Sequence, residues 1–234
     1  LSRPHFLGAD GGLKTFDFIV ANPPFSTKAW ISGLDPANDL YGRFEYGTPP
    51  EKNGDYAFLL HMLKSLKSTG KAAVILPHGV LFRGNAEAVI RENLFRKGYI
   101  KGLIGLPANL FYGTGIPACI LVLNKAGAAQ RDHVLFINAD REYREGKAQN
   151  HLRAEDIDKI VHAYRAGQDI PAYARRVPVA QNKAEDYNCN IRRYVDNAPE
   201  PTPHDVHAHL KGGLPVAEIA ALDNAFACYD GLKE

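Results

Sequence analysis

The sequence predicts an α/β chain: part of a doubly wound sheet that includes an antiparallel strand pair, followed by a helical C-terminal tail. Three observations predict it. The apolar runs Phe16–Ala21 and 72–77 are separated by a helical repeat, the strand, helix, strand order of a parallel unit. The apolar runs 99–106 and 117–123 are joined by a loop with no room for a crossover helix, which makes them antiparallel neighbours. Ile219, Leu222, Phe226 and Tyr229 then recur at intervals of three, four and three, a heptad-like stripe in the tail that reads as packing on its own domain.

Taken in order, Phe16–Ala21 reads as a short buried strand ending in Asn22-Pro23-Pro24-Phe25. Residues 26–54 are rich in Gly, Pro, Asp and Asn and hold no sustained period, so they read as a long loop. Such loops are uncommon unless they cover a site or bind something. Tyr56, Leu59, Leu60, Leu63 and Leu66 fall at helical spacing, with Asp55 as the expected N-cap, Lys64 and Lys67 in the last turn and Gly70 beyond it. The continuous apolar run 72–77 suits a strand covered on both faces. A helix is expected over 85–96, strands over 99–106, 117–123 and 134–137, and a helix through Ile157, Ile160, Val161 and Tyr164 that Gly167 stops. Residues 168–196 give no clear pattern, and the alternating prolines of 198–203 read as an extended linker.

Composition narrows the class. The chain has 234 residues, 45% hydrophobic and 23% charged, which is ordinary globular protein with a sizeable core. No apolar run approaches the ~18 residues of a membrane span and no signal peptide is read, so a cytoplasmic protein without membrane contact is expected. Because the chain opens on Leu1-Ser2-Arg3-Pro4 and is soon deep in a strand, it reads as a piece of something longer. Cys119, Cys189 and Cys228 are far apart, which indicates neither a zinc site nor a disulfide framework and suits a reducing compartment. The net charge of +2 is uneven: residues 1–130 hold 14 basic and 9 acidic residues, 197–234 hold 2 and 6. A modestly basic front portion permits nucleic-acid binding and implies that grip on phosphate is shared with another subunit.

The chemistry lies in Asn22-Pro23-Pro24-Phe25. An exocyclic base amine is a poor nucleophile while its lone pair is conjugated with the ring. Two acceptors relieve this. The Asn22 side-chain oxygen and the Pro23 carbonyl are placed to take one amine hydrogen each and leave the lone pair directed at an incoming methyl group. Each proline fixes its own φ and biases the residue before it toward extended geometry, so the acceptors converge and do not spiral into a helix. Phe25 offers a stacking face to a base swung out of a duplex, with Pro24 beside it. Strand ends of this kind are where open α/β sheets bind ligands, and the loop 107–116, carrying Phe111 and Tyr112, leaves the same edge and is a candidate second wall.

These residues resemble the methylation subunits of type I restriction-modification systems. The resemblance runs through Asp17-Phe18-Ile19-Val20-Ala21-Asn22-Pro23-Pro24-Phe25, Gly54-Asp55-Tyr56-Ala57-Phe58, Leu76-Pro77-His78-Gly79-Val80-Leu81-Phe82-Arg83-Gly84, the 105–117 segment, Gly146-Lys147-Ala148-Gln149-Asn150 and Asp186-Tyr187-Asn188-Cys189-Asn190-Ile191. It implies a Rossmann-like methyltransferase sheet, of which residues 1–150 form the carboxyl-proximal part, 151–196 an extension and 197–234 a linker and C-terminal helix. It implies methylation of adenine N6 in DNA from S-adenosylmethionine, with Asn22, Pro23 and Phe25 as the catalytic set; Pro24, Phe111 and Tyr112 are read toward the substrate from their place at the strand ends. It also implies a specificity subunit and a restriction subunit as partners. The family's glycine-rich cofactor loop and acidic ribose contact lie upstream of this motif. Gly8-Ala9-Asp10-Gly11-Gly12 has no strand before it and reads as a turn, so no cofactor-binding residue is assigned and the isolated chain is expected to be inactive.

Two alternatives stay open on the residues alone: an amino-methyltransferase acting on cytosine, RNA or protein glutamine, and a non-catalytic module that docks on a specificity subunit. Two smaller motifs carry less. His204-Asp205-Val206-His207-Ala208-His209 lacks a ligand framework for a metal, and Gly113-Thr114-Gly115 sits between strands where turn geometry explains it. Lys28 and Arg83 lie near strand ends, as phosphate contacts or as ordinary surface charges.

Overall fold

The computed structural model describes residues 1–199 and, beyond them, 210–212, 220 and 222. The chain divides into two units, Leu1–Asn197 and Ala198–Glu234. The elements of the first run β1 (Phe16–Ala21), α1 (Asp55–Lys64), β2 (Leu66–Pro77), α2 (Ala86–Arg96), β3 (Ile100–Gly105), β4 (Ala118–Asn124), β5 (His133–Asn138), α3 (Ala154–Ala166), β6 (Ala174–Pro178) and α4 (Val179–Ala184). They build a mixed six-stranded sheet in the order β1-β2-β4-β3-β5-β6.

The expected pairings hold. β1 runs parallel to β2, with Ala21 opposite Val74, and β3 runs antiparallel to β4. β4 is inserted between β2 and β3, antiparallel to both, so that β1, β2, β3 and β5 send their carboxyl ends to the same edge. Alternation sorts the side chains. Ala72, Val74, Leu76 and Leu103 meet Tyr56, Leu59, Leu60 and Leu63 of α1 and Ile90, Leu94 and Phe95 of α2. Ile104 and Ile137, from the opposite face, pack with Ile160 and Ala163 of α3. Gly167, at φ +58°, ends α3 in the left-handed conformation that glycine adopts without strain.

Three expectations are corrected. β1 is not buried. It is the edge strand, and Phe18 and Val20 stand 72% and 85% exposed, in line with the half-buried Ala73, Ile75, Ile120 and Val122. Asp55 is the first residue of α1 and not its cap: Gly54 occupies the cap, and the Asn53 side-chain oxygen accepts the Asp55 N–H at 3.0 Å. Lys67 and Gly70 lie within β2, because that strand starts at Leu66, directly after the helix.

The long loop is ordered by its own side chains. Trp30 is buried and donates to the Pro50 carbonyl at 2.8 Å, Arg43 forms a buried pair with Asp39 at 2.6 Å, and Asn93 of α2 donates to the Tyr46 carbonyl at 2.9 Å. Its ends close on each other, Gly54 N–H donating to the Thr27 carbonyl at 3.0 Å. A Cβ on Gly54 would stand 2.7 Å from Trp30 Cβ, so only glycine fits this approach.

Within residues 1–15, Leu7 bridges Leu13, and Gly8 N–H donates to the Gly12 carbonyl at 2.8 Å, the expected turn. The segment 185–195 is strapped to the core, with Arg91 donating to the Tyr187 carbonyl at 2.6 Å and Cys189 N–H to that of Leu81 at 2.8 Å. The tail stripe falls outside the described residues except for Leu222, as do Cys228 and the histidines of 204–209. Among the described residues no helix is long and apolar enough to cross a membrane, and no group of acidic, histidine and cysteine side chains could hold a metal ion. Cys119 and Cys189 are buried free thiols, that of Cys189 pushed up to about 12 by burial.

Candidate active site

Asn22 leaves β1 at the carboxyl edge of the sheet. Its side chain is exposed, Pro23 is buried, Pro24 is exposed and Phe25 is half-buried against the core. Among the described residues no partner engages the Asn22 side chain or the Pro23 carbonyl. The turn then closes through Ser26, which sits at φ +50°, a left-handed conformation uncommon for a residue with a side chain. Its N–H donates to Asp55 Oδ1 at 2.7 Å. Sequence reasoning missed this contact, because Asp55 reads as a helix start and the bond spans 29 residues.

Arg83 is neither a surface charge nor a free phosphate contact. Its two terminal nitrogens donate to Asp55 Oδ2 at 3.0 and 3.1 Å, and one also donates to Glu87 Oε1 at 2.9 Å. Both acids are buried, and burial raises the Glu87 carboxyl above its ordinary range despite the arginine. Lys28 is exposed.

The loop 107–116 approaches from the other side. Phe111 meets Phe25 edge to face, ring centroids 5.4 Å apart at 72°, whereas Tyr112 is 87% exposed. The structure therefore brings Phe111 to the motif and leaves Tyr112 outside. With van der Waals contact near 3.5 Å on each side, a base between two rings needs a gap of about 7 Å. Phe111 has to move for a base to enter between them. The loop is held by the block 146–150, which sequence reasoning singled out without giving it a role. Asn150 Nδ2 donates to the Ala108 carbonyl at 3.0 Å, its N–H to that of Asn109 at 2.8 Å, and Gln149 Nε2 to that of Leu110 at 3.2 Å.

Further along the same edge lies a cleft of about 640 Å³, reached past His78, Phe82, Asn138 and Tyr143. Arg192 donates to Asp140 across it at 2.8 and 3.0 Å, and burial holds the His78 imidazole below its ordinary range.

Nucleosides are a class of ligand that open α/β sheets bind beyond the carboxyl ends of their strands. Such ligands rest on a glycine-rich turn between a strand and a helix. The glycine-rich segment before β1 is instead closed on itself, with Asp10 Oδ1 accepting the Gly12 N–H at 3.0 Å, and among the described residues β1 has no strand on its outer side.

Comparison with known proteins gives this sheet and motif a family. The chain belongs to the N-6 DNA Methylase family, whose model matches residues 1–202. It is 33% identical over 204 residues to the methylase subunit of the type I restriction enzyme MjaVII of Methanocaldococcus jannaschii, covering 83% of this chain and 35% of that protein. It is 34% identical over 195 residues to the HindI methylase subunit of Haemophilus influenzae, covering 80% and 43%. Among solved structures it is similar to the methyltransferase subunit of a type I restriction-modification system from Streptococcus thermophilus, at 41% identity and a TM-score of 0.72, over 78% of this chain and 39% of that one. A modification subunit from Vibrio vulnificus, 20% identical with a TM-score of 0.61, shares the fold. The chain thus spans well under half the length of the relatives it matches.

Proposed function

We propose that this chain supplies the amine-binding half of an adenine-N6 DNA methyltransferase, the methylase subunit of a type I restriction-modification complex. The observation that carries the reading is the Asn22-Pro23-Pro24-Phe25 turn at the carboxyl end of β1, with Asn22 exposed and Phe25 beside it. Asn22 Oδ1 and the Pro23 carbonyl accept the two amine hydrogens of a flipped adenine, and Phe25 takes its stacking face. Holding both hydrogens turns the nitrogen lone pair out of conjugation and toward the donor; amide oxygens are too weakly basic to keep the proton released on methylation, which passes on to solvent.

The methyl donor in this reading is S-adenosylmethionine, bound by parts of a full-length methylase that lie outside the described residues. The partners are DNA, a specificity subunit that reads the sequence and a restriction subunit. The modest basic excess of residues 1–130 supports shared rather than solitary grip on the duplex.

The test is a nucleoside digest of DNA methylated by a full-length methylase carrying this chain, assembled with its specificity subunit. Label in N6-methyl-2′-deoxyadenosine is the expected result. Label in N4-methylcytosine, or none in DNA, contradicts the reading.

A further inference from the structure

The Pro23-Pro24 pair is stiff, since each ring fixes φ, so residues 22–26 behave as a short rod with two ends. One end is set by the β1 ladder, where Ala21 pairs with Val74. The other is Ser26, whose φ of +50° is strained and persists only where the surroundings impose it. What imposes it is Asp55 Oδ1, 2.7 Å from the Ser26 nitrogen. The carboxylate is itself immobile. Its Oδ2 takes both Arg83 nitrogens, Arg83 is tied to Glu87, and the Asp55 N–H is tied to Asn53.

We propose that Asp55 is a positioning residue for methyl transfer, with Arg83 as its brace: the pair fixes the far end of the Asn22–Ser26 rod and thereby the place of the Asn22 and Pro23 oxygens. An ion pair that only fastened α1 to the segment before α2 would use Oδ2 and leave Oδ1 to solvent. Here Oδ1 is spent on the backbone of the motif turn. The role rests on the amine-binding reading of Asn22 and Pro23 above, and its test has two arms so that the two claims fail separately.

In the 234-residue chain, Asp55→Ala is expected to raise amide hydrogen exchange at Ser26 on the order of 10²-fold, the loss of one charge-assisted hydrogen bond, while exchange in β3 and β4 stays as in wild type. In the full-length methylase with its partner subunits, the same change is expected to lower kcat on the order of 10²-fold, as small misplacements of reacting groups do, with KM for the methyl donor within a few-fold. Asp55→Asn keeps an oxygen for the Ser26 N–H and is expected to restore kcat to within about tenfold of wild type.

Should Asp55→Ala not fold, Asp55→Asn combined with Arg83→Gln decides, since the asparagine oxygen still accepts the Ser26 N–H while its amide nitrogen donates to the glutamine oxygen in place of the ion pair. Near wild-type kcat with Ser26 exchange as slow as in wild type supports the role, and a loss of kcat while that exchange stays slow overturns it. Unchanged exchange at Ser26, wild-type kcat in the Ala variant, or an Asn variant as slow as the Ala variant overturns the assignment. A wild-type enzyme that transfers no methyl sinks the functional reading alone, and the exchange arm still decides whether Asp55 holds the turn.

Discussion

Burial, reinforced by the Arg43 guanidinium, pushes the His61 imidazole down to about 4, against the pull of Asp39. In the unfolded chain the same group titrates near 6.5. Below that pH the unfolded state takes up a proton that the folded state refuses, so stability present above about pH 6.5 is lost as the pH falls toward 4. His61→Gln is expected to flatten the fall in melting temperature over that window, and an unchanged profile would place the acid sensitivity elsewhere. At the same scale Phe111 and Tyr112 part company. Phe25→Ala and Phe111→Ala are expected to reduce extrusion of a fluorescent adenine analogue at the target site of the full-length enzyme, and Tyr112→Ala to leave it unchanged. Asn22 to Phe25 were legible in the sequence because prolines act on their immediate neighbours. Asp55 as the anchor of Ser26 was not, since nothing local distinguishes it from a helix cap, and the choice between Phe111 and Tyr112 needs the direction of the loop.

Elements place these residues, and the closed loop 26–54 continues directly from the motif. Its last residue, Gly54, lies against Trp30 and Thr27, the latter only two positions beyond Phe25. Gly54→Ala puts a methyl 2.7 Å from Trp30 Cβ and 3.2 Å from the Thr27 carbonyl. It is expected to cost ~1–3 kcal/mol in urea unfolding, the usual penalty for overpacking, and a neutral result would mean the loop is loose enough to yield. β1 poses the opposite problem, with an edge unpaired among the described residues and exposed Phe18 and Val20. Such an edge recruits other strands. The chain alone is expected to self-associate in sedimentation velocity, and Phe18→Lys with Val20→Lys to restore a monomer; equal behaviour of the two would show that association, if any, lies elsewhere. The strand–helix–strand unit and the antiparallel pair were readable from periodicity and loop length. The exposure of β1 was not, because an apolar run says that a strand is to be covered and not which chain covers it. β6 and α4 were missed because Arg175 and Arg176 interrupt the apolar signal of a short edge strand.

For the whole molecule the sheet sets one direction: β1, β2, β3 and β5 point their carboxyl ends to one edge, where the motif, the Phe111 loop and the 640 Å³ cleft follow one another. That edge presents acceptors and aromatic faces. Two oxygens at its end carry the proposed reaction, so removing one of them is the most direct trial. Asn22 is exposed, and truncating it opens no cavity. In the full-length methylase with its specificity subunit, Asn22→Ala is expected to keep the wild-type melting temperature and to lower transfer of radiolabelled methyl to DNA by ~10²-fold or more, the usual cost of deleting one oriented polar group from a transition state. Transfer within a few-fold of wild type, by a folded Asn22→Ala enzyme, would contradict the role given to this residue and with it the reading of the site.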